Sequence, residues 1–455
     1  MQVTETGREG LKRTLKVVVA KSELDERFNG RLGEIKDRVQ IKGFRKGKVP
    51  VPHLKKIYGK SLMAEVLEQA VQDTSIKAMK ERNERPASQP KIEIEDVESG
   101  AVDRIINGES DLAYSMSFEV IPAIPVAEFS SFKLERLSAD VEESDMERAL
   151  NELVERNTSF EPEEGRVAAD GDMLTLDFMG KIDGEAFEGG SAEGANLVLG
   201  KGQFIPGFEE GLIGAKAGDS RTVKATFPAE YPMPNLAGKE AEFDVTVKSV
   251  SRPLKPELDD AFATGIGAES LENMKELVKA QLKRELDNAA RVKLKRELLD
   301  ELDKAHTFEL PASLVDFEFN NIWRQVENNL KATNKTFADE GKTEEEAREE
   351  YRKIAERRVR LGLVVGEIGE KNEIKVSQDE LRRVLIEQAR RYPGQEKMVY
   401  EYYEKTPGAL AELRAPIFED KVIDFIIEAA KPAEKKVSKE DLLKQVEEAT
   451  QKDSD

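Results

Sequence analysis

A short basic segment near the amino terminus carries the residue types best suited to binding. Residues 43–50 read Gly-Phe-Arg-Lys-Gly-Lys-Val-Pro, so three cations and one aromatic ring share a segment with two glycines and a closing proline. Glycine readily adopts a positive φ and proline suits the first turn of a helix, which together predict a tight, protruding turn before a helix. The binding candidates are Gly43, Phe44, Arg45, Lys46, Gly47 and Lys48.

Two interpretations of this segment are open from its residues alone. The cations cannot all be paired within so short a turn, and a cationic tip with one aromatic side chain suits RNA phosphate next to protein. An ordinary helix–helix turn with Phe44 folded into the core is the alternative. Residues 1–60 hold 16 lysines and arginines against 7 aspartates and glutamates, whereas the whole chain has a net charge of −20. One basic end on an acidic chain indicates a localised anionic partner.

Composition excludes several kinds of catalytic site. The sequence has no cysteine, which excludes disulfides, thiolate nucleophiles and cysteine-bound zinc. Its two histidines are His53 and His306, and neither GxSxG nor HExxH occurs, so a Ser–His–Asp triad and a zincin site are not expected. We therefore expect no cofactor and no metal. No stretch approaches ~18 apolar residues and no signal peptide is recognisable, so we expect a cytoplasmic protein with no membrane partner.

A second set of candidates lies in a glycine-rich segment, residues 160–252, where strand signals recur at short spacing. By composition, its apolar side chains would fill the core of a small antiparallel sheet with one short helix near residues 209–212. A dinucleotide loop at Gly200-Lys201-Gly202 is excluded, because the third glycine position of that motif is Ile205. The residues that stand out are Phe178, Phe187, Phe204, Ile205, Phe208, Tyr231 and Phe243.

The run from Gly171 to Val250 resembles the FKBP-type peptidyl-prolyl isomerases. The resemblance implies a curved antiparallel sheet wrapped on one short helix, with an apolar pocket between them that isomerises X-Pro bonds. It places all seven of these apolar side chains at the pocket, with Phe208 at the floor. Phe208 replaces a frequent Trp and Glu188 replaces a frequent Asp, so binding of macrolide inhibitors is not implied.

The length of 455 residues predicts about three domains. The predicted fold class is α+β multidomain: an α+β amino-terminal domain, an FKBP-like antiparallel sheet with a short helix, and an all-α carboxy-terminal body with arms. The predicted divisions are an α+β domain at 1–115 that carries the basic segment, a connector at 116–159, an isomerase domain at 160–252, a helical domain at 253–432 and a disordered tail at 433–455.

Hydrophobic periodicity predicts the elements that position these candidates. Alternation predicts strands at 11–20 and 112–120. Ser22 is predicted to cap the helix that precedes the basic segment, and Ser377 with Glu380 to form a capping box further along the chain. A final helix is predicted at 417–430.

Taken in order, the parts resemble the trigger factor family of ribosome-associated bacterial chaperones. The glycine-flanked Phe44-Arg45-Lys46 matches the signature loop of that family, and the isomerase segment lies where the family has one. The resemblance implies docking on the ribosome near the exit tunnel, on ribosomal protein and 23S RNA. It implies nascent and unfolded polypeptides as clients, and a weak homodimer is expected away from the ribosome.

Two other functions remain open from the sequence. One is a free-standing prolyl isomerase whose helical region dimerises it or binds substrate, with no ribosome role. The other is an RNA-binding assembly factor that uses the basic end, although one loop offers few phosphate contacts. Apolar residues of the carboxy-terminal helices are candidates for client contact, but each one is more simply explained as helix core: Phe317, Phe319, Trp323, Met398, Tyr400, Tyr402, Tyr403, Ile417 and Phe418.

Overall fold

The computed structural model describes residues 1–40, 44–45, 47–95, 101–107, 109–233, 235–333, 335–406 and 408–451. Contacts between residues divide the chain into two compact units. The first unit consists of residues 1–136 and 293–434, and the second consists of residues 137–292 and 435–455.

The first unit begins with an antiparallel sheet that packs against long helices. The strands have the order β1-β2-β4-β3, and the predicted alternation in β2 and β4 is confirmed by buried residues at every second position. Tyr114 of β4 is fully buried, and its hydroxyl lies 2.8 Å from the Thr74 hydroxyl and 2.9 Å from the Ser75 hydroxyl on α2. This network ties α2 to the sheet. The elements are β1 (Gln2–Glu9), β2 (Lys12–Val19), α1 (Lys21–Arg38), α2 (Val51–Glu81), β3 (Lys91–Ile94), α3 (Ala101–Ile106) and β4 (Leu112–Glu119).

The predicted cap of α1 is wrong. Ala20 occupies the N-cap position, so Ser22 lies inside the first turn. The backbone N–H of Lys21 donates instead to the Asp111 carboxylate at 2.7 Å. A residue distant in sequence therefore accepts a hydrogen bond from a backbone N–H group that has no partner within the helix. The residues around the start of the helix could not reveal this contact.

Within its described residues, the helical part of the first unit contains the end of a long helix, α6, and five further α-helices. The helix predicted at 417–430 begins earlier, at Ala409, and contains Pro416. Its residues Val422 and Ile426 are fully buried against α8 residues such as Val364. The helices are α6 (Leu271–Ala305, of which 293–305 belong here), α7 (Ala312–Thr333), α8 (Glu344–Lys371), α9 (Gln378–Arg390), α10 (Glu396–Lys405) and α11 (Ala409–Ala430).

The second unit is organised by a strongly curved antiparallel sheet. Its strands have the order β6-β10-β7-β8. Strand β6 pairs with residues 251–254 of β10, and β9 pairs with residues 240–246 of β10. The predicted alternation along β10 is confirmed, because Phe243, Val245 and Val247 are all buried. The predicted short helix is a single 3₁₀ turn, Glu210–Leu212. The elements are α4 (Glu143–Arg156), β6 (Ser159–Pro162), β7 (Met173–Ile182), β8 (Glu185–Val198), β9 (Ser220–Thr226), β10 (Glu240–Leu254) and α5 (Asp260–Gly265).

The expectation of disorder after residue 432 differs from the structure. Strand β11 (Ala433–Lys436) pairs with β5 (Glu135–Ser138), and helix α12 follows at Lys439–Gln451. Leu442 is fully buried, in a cluster that includes Leu137 and Leu286. The tail has few apolar residues of its own, but residues more than a hundred positions away in the sequence cover Leu442. Residues 452–455 lie outside the described part of the chain.

The predicted capping box at the start of α9 is confirmed and gives a pH-dependent stability. The Glu380 carboxylate accepts from Lys421 at 2.8 Å and from the Ser377 backbone N–H at 2.7 Å. The Lys421 hydrogen bond, followed by those from Ser377, lowers the pKa of Glu380 from 4.5 to about 2. Because its pKa is lower in the folded state, the stabilisation is complete above the unfolded pKa and is lost as pH falls through the folded one.

We expect Glu380→Gln to lower the urea midpoint of the first unit at pH 6, and this difference from the wild type to shrink as pH falls below 4.5. The fluorescence of Trp323, the single tryptophan of the chain, reports the transition. Asp379→Asn, at a neighbouring exposed carboxylate, is the matched control. A difference between Glu380→Gln and wild type that is independent of pH would contradict this role for the carboxylate.

Candidate active site and basic loop

An apolar cavity of about 430 Å³ opens in the second unit between the sheet and the loops around residues 203–206 and 227–236. Six of the seven residues predicted from the resemblance line it: Phe178, Phe187, Phe204, Ile205, Tyr231 and Phe243. They come from three strands and two loops, so the curvature of the sheet brings together side chains that are up to 65 positions apart.

Phe208, the seventh residue, lies beneath the cavity and not on its surface. Its side chain is fully buried, and its ring stacks on Phe204 at a centroid distance of 4.8 Å and an angle of 15°. Its ring also meets the edges of Phe178 at 5.8 Å and Phe243 at 5.1 Å. Phe208 therefore fixes the positions of three rings that line the cavity.

Further lining residues were not among the predicted site residues. Phe227 contacts the ring of Phe187 at 5.8 Å and that of Tyr231 at 4.8 Å, and so joins two predicted side chains. The signal that could have identified it is its position four residues before Tyr231 in the same loop. The other additions are Gly189, Gly190, Gln203, Pro206, Pro228, Met233 and Leu236.

Two glycines leave the space that the Phe187 ring occupies. A Cβ at Gly190 would lie 2.7 Å from this ring, and a Cβ at Gly180 would lie 2.8 Å from it and 2.6 Å from Phe243. Neither glycine has a positive φ, so the requirement is for space and not for an unusual backbone. At these two positions the backbone lies so close to the rings that a Cβ atom would clash with them.

A buried carboxylate orders the loop that carries Phe204. Glu209 accepts backbone N–H groups from Gly200 at 2.8 Å, Gly202 at 3.1 Å and Phe204 at 3.2 Å. Burial by itself raises the pKa of Glu209, but the hydrogen bonds from Phe204, Gly202 and Gly200 lower it below its ordinary value. The ionised carboxylate therefore fixes the backbone that leads into the cavity.

The basic segment forms an exposed turn at the start of α2. Phe44 is 37% exposed, with its ring centroid 5.2 Å from that of His53, so Phe44 is not folded into the core. The Lys48 N–H donates to the Arg45 carbonyl at 2.9 Å, and Gly47 between them has a φ of 76°. Gly43 and Lys46 lie outside the described residues.

Cations around this turn lack carboxylate partners among the described residues. Arg45 and Lys48 are exposed, and within the part of the chain that the structure describes neither has a carboxylate partner. The exposed lysines of the first turns of α2 share this property: Lys55, Lys56 and Lys60. Some cations further from the turn are paired, as Arg27 is with Asp73 at 2.8 Å. The turn and the start of α2 therefore carry a group of exposed cations without carboxylate partners in the described residues.

The structure separates the apolar candidates of the helical body into two groups. Trp323 is buried between the rings of Phe319 and Phe337, and the Arg348 guanidinium lies 4.2 Å from its ring, so it is a core residue. The exposed candidates are Phe317 at 65%, Met398 at 67%, Tyr400 at 39% and Tyr402 at 52%.

Among the described residues, no helix combines the length and apolar character needed to cross a bilayer.

Comparison with known proteins covers nearly the whole chain. The family model for bacterial trigger factor protein matches residues 1–153, that for its C-terminus matches 270–428, and that for FKBP-type peptidyl-prolyl cis-trans isomerase matches 164–248. The sequence is 52% identical to the trigger factor of Parvibaculum lavamentivorans over 97% of this chain and 86% of that one. The chain belongs to the trigger factor family.

Other relatives agree with this assignment. The trigger factor of Sinorhizobium fredii is 49% identical over 97% of this chain and 90% of its own. A solved trigger factor chaperone, described for promiscuous substrate recognition in folding and assembly, aligns with a TM-score of 0.53. That structure is 21% identical and covers 94% of this chain and 99% of its own, and it supports the α+β multidomain fold.

Membership of the family gives the function. The protein is a ribosome-docked molecular chaperone that holds newly made polypeptides, and its FKBP-type domain is a peptidyl-prolyl isomerase. A free-standing isomerase without a ribosome role is disfavoured, because trigger factor segments flank the isomerase segment on both sides.

We expect Gly190→Ala and Gly180→Ala to reduce isomerase activity by displacing the Phe187 ring. Overpacking of this kind costs about 1–3 kcal/mol, so kcat/KM on a short prolyl peptide should fall about tenfold. Gly265→Ala is the control, because Gly265 belongs to the same unit and has open space around its Cβ position. Full activity in folded Gly190→Ala and Gly180→Ala variants would show that the ring position is not needed.

Proposed function

We propose that the apolar cavity isomerises X-Pro bonds without a nucleophile or a metal. Rotation about this amide must cross a barrier of ~18–20 kcal/mol. Twisting breaks amide resonance, so the transition state is less dipolar than the planar ground state. A dry cavity lined by rings disfavours the planar form relative to the twisted one, and binding that favours the transition state lowers the barrier.

The residues of the cavity have different roles in this proposal. Phe178, Phe187 and Phe243 form the wall against which the prolyl ring lies, and Phe204 with Ile205 supplies the loop edge. Tyr231 completes the rim. Phe208 acts as a positioning residue, since its contacts are with Phe204, Phe178 and Phe243.

We expect Phe204→Ala to lower kcat/KM on a prolyl tetrapeptide about tenfold, because it removes one ring from the cavity and one stacking partner of Phe208. Suppression of client aggregation and co-sedimentation with ribosomes should not change. Met179→Ala, at a residue of β7 that is 49% exposed, is the control. If the folded Phe204→Ala variant also lost suppression of aggregation, the two activities would not be separable as proposed.

The basic loop is proposed to dock the protein beside the exit tunnel. In this proposal the exposed ring of Phe44 contacts ribosomal protein, and Arg45, Lys46 and Lys48 contact the phosphates of 23S RNA. Gly43 and Gly47 permit the turn. The exposure of Phe44 and the absence of carboxylate partners for Arg45 and Lys48 in the described residues support this assignment.

We expect the triple variant Phe44→Ala, Arg45→Ala, Lys46→Ala to lose co-sedimentation with ribosomes, because it removes an apolar anchor and two charges. The matched control removes one exposed apolar residue and two lysines from the opposite end of α2: Ile76→Ala, Lys77→Ala and Lys80→Ala. Isomerase activity on a tetrapeptide should be unchanged in both variants. Unchanged ribosome binding by the loop variant would refute the docking role.

The division of the chain belongs to the same proposal. We assign ribosome binding to residues 1–115, the connector to 116–159, isomerisation to 160–252 and client holding to 253–432. The family segments at 1–153, 164–248 and 270–428 support this order. The proposal also includes a cytoplasmic location and a weak homodimer away from the ribosome.

A further inference from the structure

The segment that forms one edge of the aromatic cavity is too short in regular structure to order itself. Residues 200–214 contain one 3₁₀ turn, Glu210–Leu212. A turn of this length gains few hydrogen bonds for the residues that it fixes, and backbone groups before and after it lack partners within the turn. The same segment places Phe204 and Ile205 at the cavity and Phe208 beneath it. The contacts that hold its backbone therefore decide where three apolar side chains of the site lie.

A carboxylate satisfies the backbone on the amino-terminal side of the turn. Glu209 is buried, and the N–H groups of Gly200, Gly202 and Phe204 converge on it. Gly200 and Gly202 have φ angles of 82° and 63°, which favour glycine. Convergent backbone N–H groups of this kind form an anion-binding concavity, and here the anion is a side chain of the protein itself. Glu209 thus closes the loop that contains Phe204.

A guanidinium satisfies the backbone on the carboxy-terminal side. Arg221 of β9 donates from Nη1 to the carbonyls of Ile213 at 3.0 Å and Gly211 at 3.3 Å, and from Nη2 to the carbonyl of Gly214 at 2.7 Å. The Asp219 carboxylate lies 3.7 Å from the same guanidinium. Hydrogen bonds from a charged donor are stronger than neutral ones, and the planar fork of arginine reaches several acceptors at once.

The turn also lies directly against the strand that carries Arg221. A Cβ atom at Gly211 would lie 2.6 Å from the side chain of Val223, so the turn touches β9 without spare room. Val223 is buried and lies two positions after Arg221, on the same face of the strand. A displacement of the turn would break this contact and the three hydrogen bonds of Arg221 together.

We propose that Glu209 and Arg221 are positioning residues of the isomerase, which hold this edge of the cavity in the form that receives a prolyl segment. Neither residue lines the cavity, so both act through Phe204, Ile205 and Phe208. This inference rests on the proposed mechanism of the cavity. Without either side chain the edge adopts several conformations, and only a fraction of the molecules binds the peptide. The apparent affinity falls by that fraction, so KM rises while kcat for the bound peptide stays the same.

The first test changes Arg221, whose side chain is 32% exposed and outside the packed core. On a prolyl tetrapeptide, full-length Arg221→Gln should have a KM about tenfold above that of the wild type, with equal kcat. Arg221→Lys should give an intermediate KM, because an ammonium keeps the charge but lacks the planar fork. The matched control is Arg252→Gln on β10, which removes an exposed ion pair with Glu161 and should leave KM unchanged. A wild-type KM in Arg221→Gln would overturn the proposal.

The second test removes the charge of Glu209 and keeps its size. Glu209→Gln places an amide NH₂ group among three N–H donors, so it should raise KM about tenfold at equal kcat. Glu164→Gln, at an exposed carboxylate of the same unit, is the control. If Glu209→Gln does not fold, the two Arg221 variants decide the question. A folded Glu209→Gln variant with a wild-type KM would contradict the role of this carboxylate.

Amide hydrogen exchange separates positioning from overall stability. In Glu209→Gln the N–H groups of Gly200, Gly202 and Phe204 should exchange about tenfold faster, and in Arg221→Gln the N–H of Leu212 should do so. Exchange in the centres of β7 and β10 should keep its wild-type rate. Equal acceleration throughout the unit would show that the two residues act on its stability alone, and the proposal would be wrong.

Failure of the inference is distinguishable from failure of the proposed function. Absence of turnover on every prolyl peptide by the wild-type protein would contradict the isomerase function of the cavity. Wild-type turnover with an unchanged KM in both variants would contradict only the positioning role. A lower kcat at an unchanged KM would place Glu209 and Arg221 in the rotation step and would also overturn the proposal.

Discussion

The first unit depends on one long-range packing interaction, between the connector and helices of the carboxy-terminal half. Its buried side chains come from both sides of the inserted segment 137–292 and include Ile124, Phe132, Leu134, Leu298, Val364 and Ile426. Buried His306 adds a hydrogen bond, since its Nε2 accepts the Ala127 N–H at 3.2 Å. Because this core needs both segments, the basic loop and the helical body belong to one folded unit. The long insertion between them adds little to the entropy of closing the chain, about 0.6 kcal/mol per doubling of length.

The cations of the amino-terminal domain differ in how they are paired. Some of those in the sheet and helices have carboxylate partners, as Lys16 does with Glu95 at 2.6 Å. Arg45 and Lys48 lack partners among the described residues, beside an exposed phenylalanine. Exposed ion pairs contribute little to stability, so the cations without carboxylate partners matter chiefly for the positive potential that they create around the loop.

Sequence patterns predicted those elements whose buried positions and caps can be recognised from residues close together in the sequence. The strand at 112–119 alternates, and the capping box of Ser377 and Glu380 needs residues only three positions apart. Strand β1 was not predicted because it is an edge strand without a buried residue, and α12 was not predicted because its partners lie far along the chain. The cavity residues followed from the family resemblance. Their periodicity alone would fit a plain core equally well, and the place of Phe208 beneath the cavity depends on ring packing that sequence does not specify.

We propose that the loop of the first unit binds the ribosome while the cavity of the second unit remains free for prolyl segments. Amide hydrogen exchange of the full chain, with and without ribosomes, tests this directly. Ribosomes should protect residues from 44 to the first turns of α2 and leave exchange around Phe187 and Phe204 unchanged. Protection around the cavity, or no protection at the loop, would contradict the account.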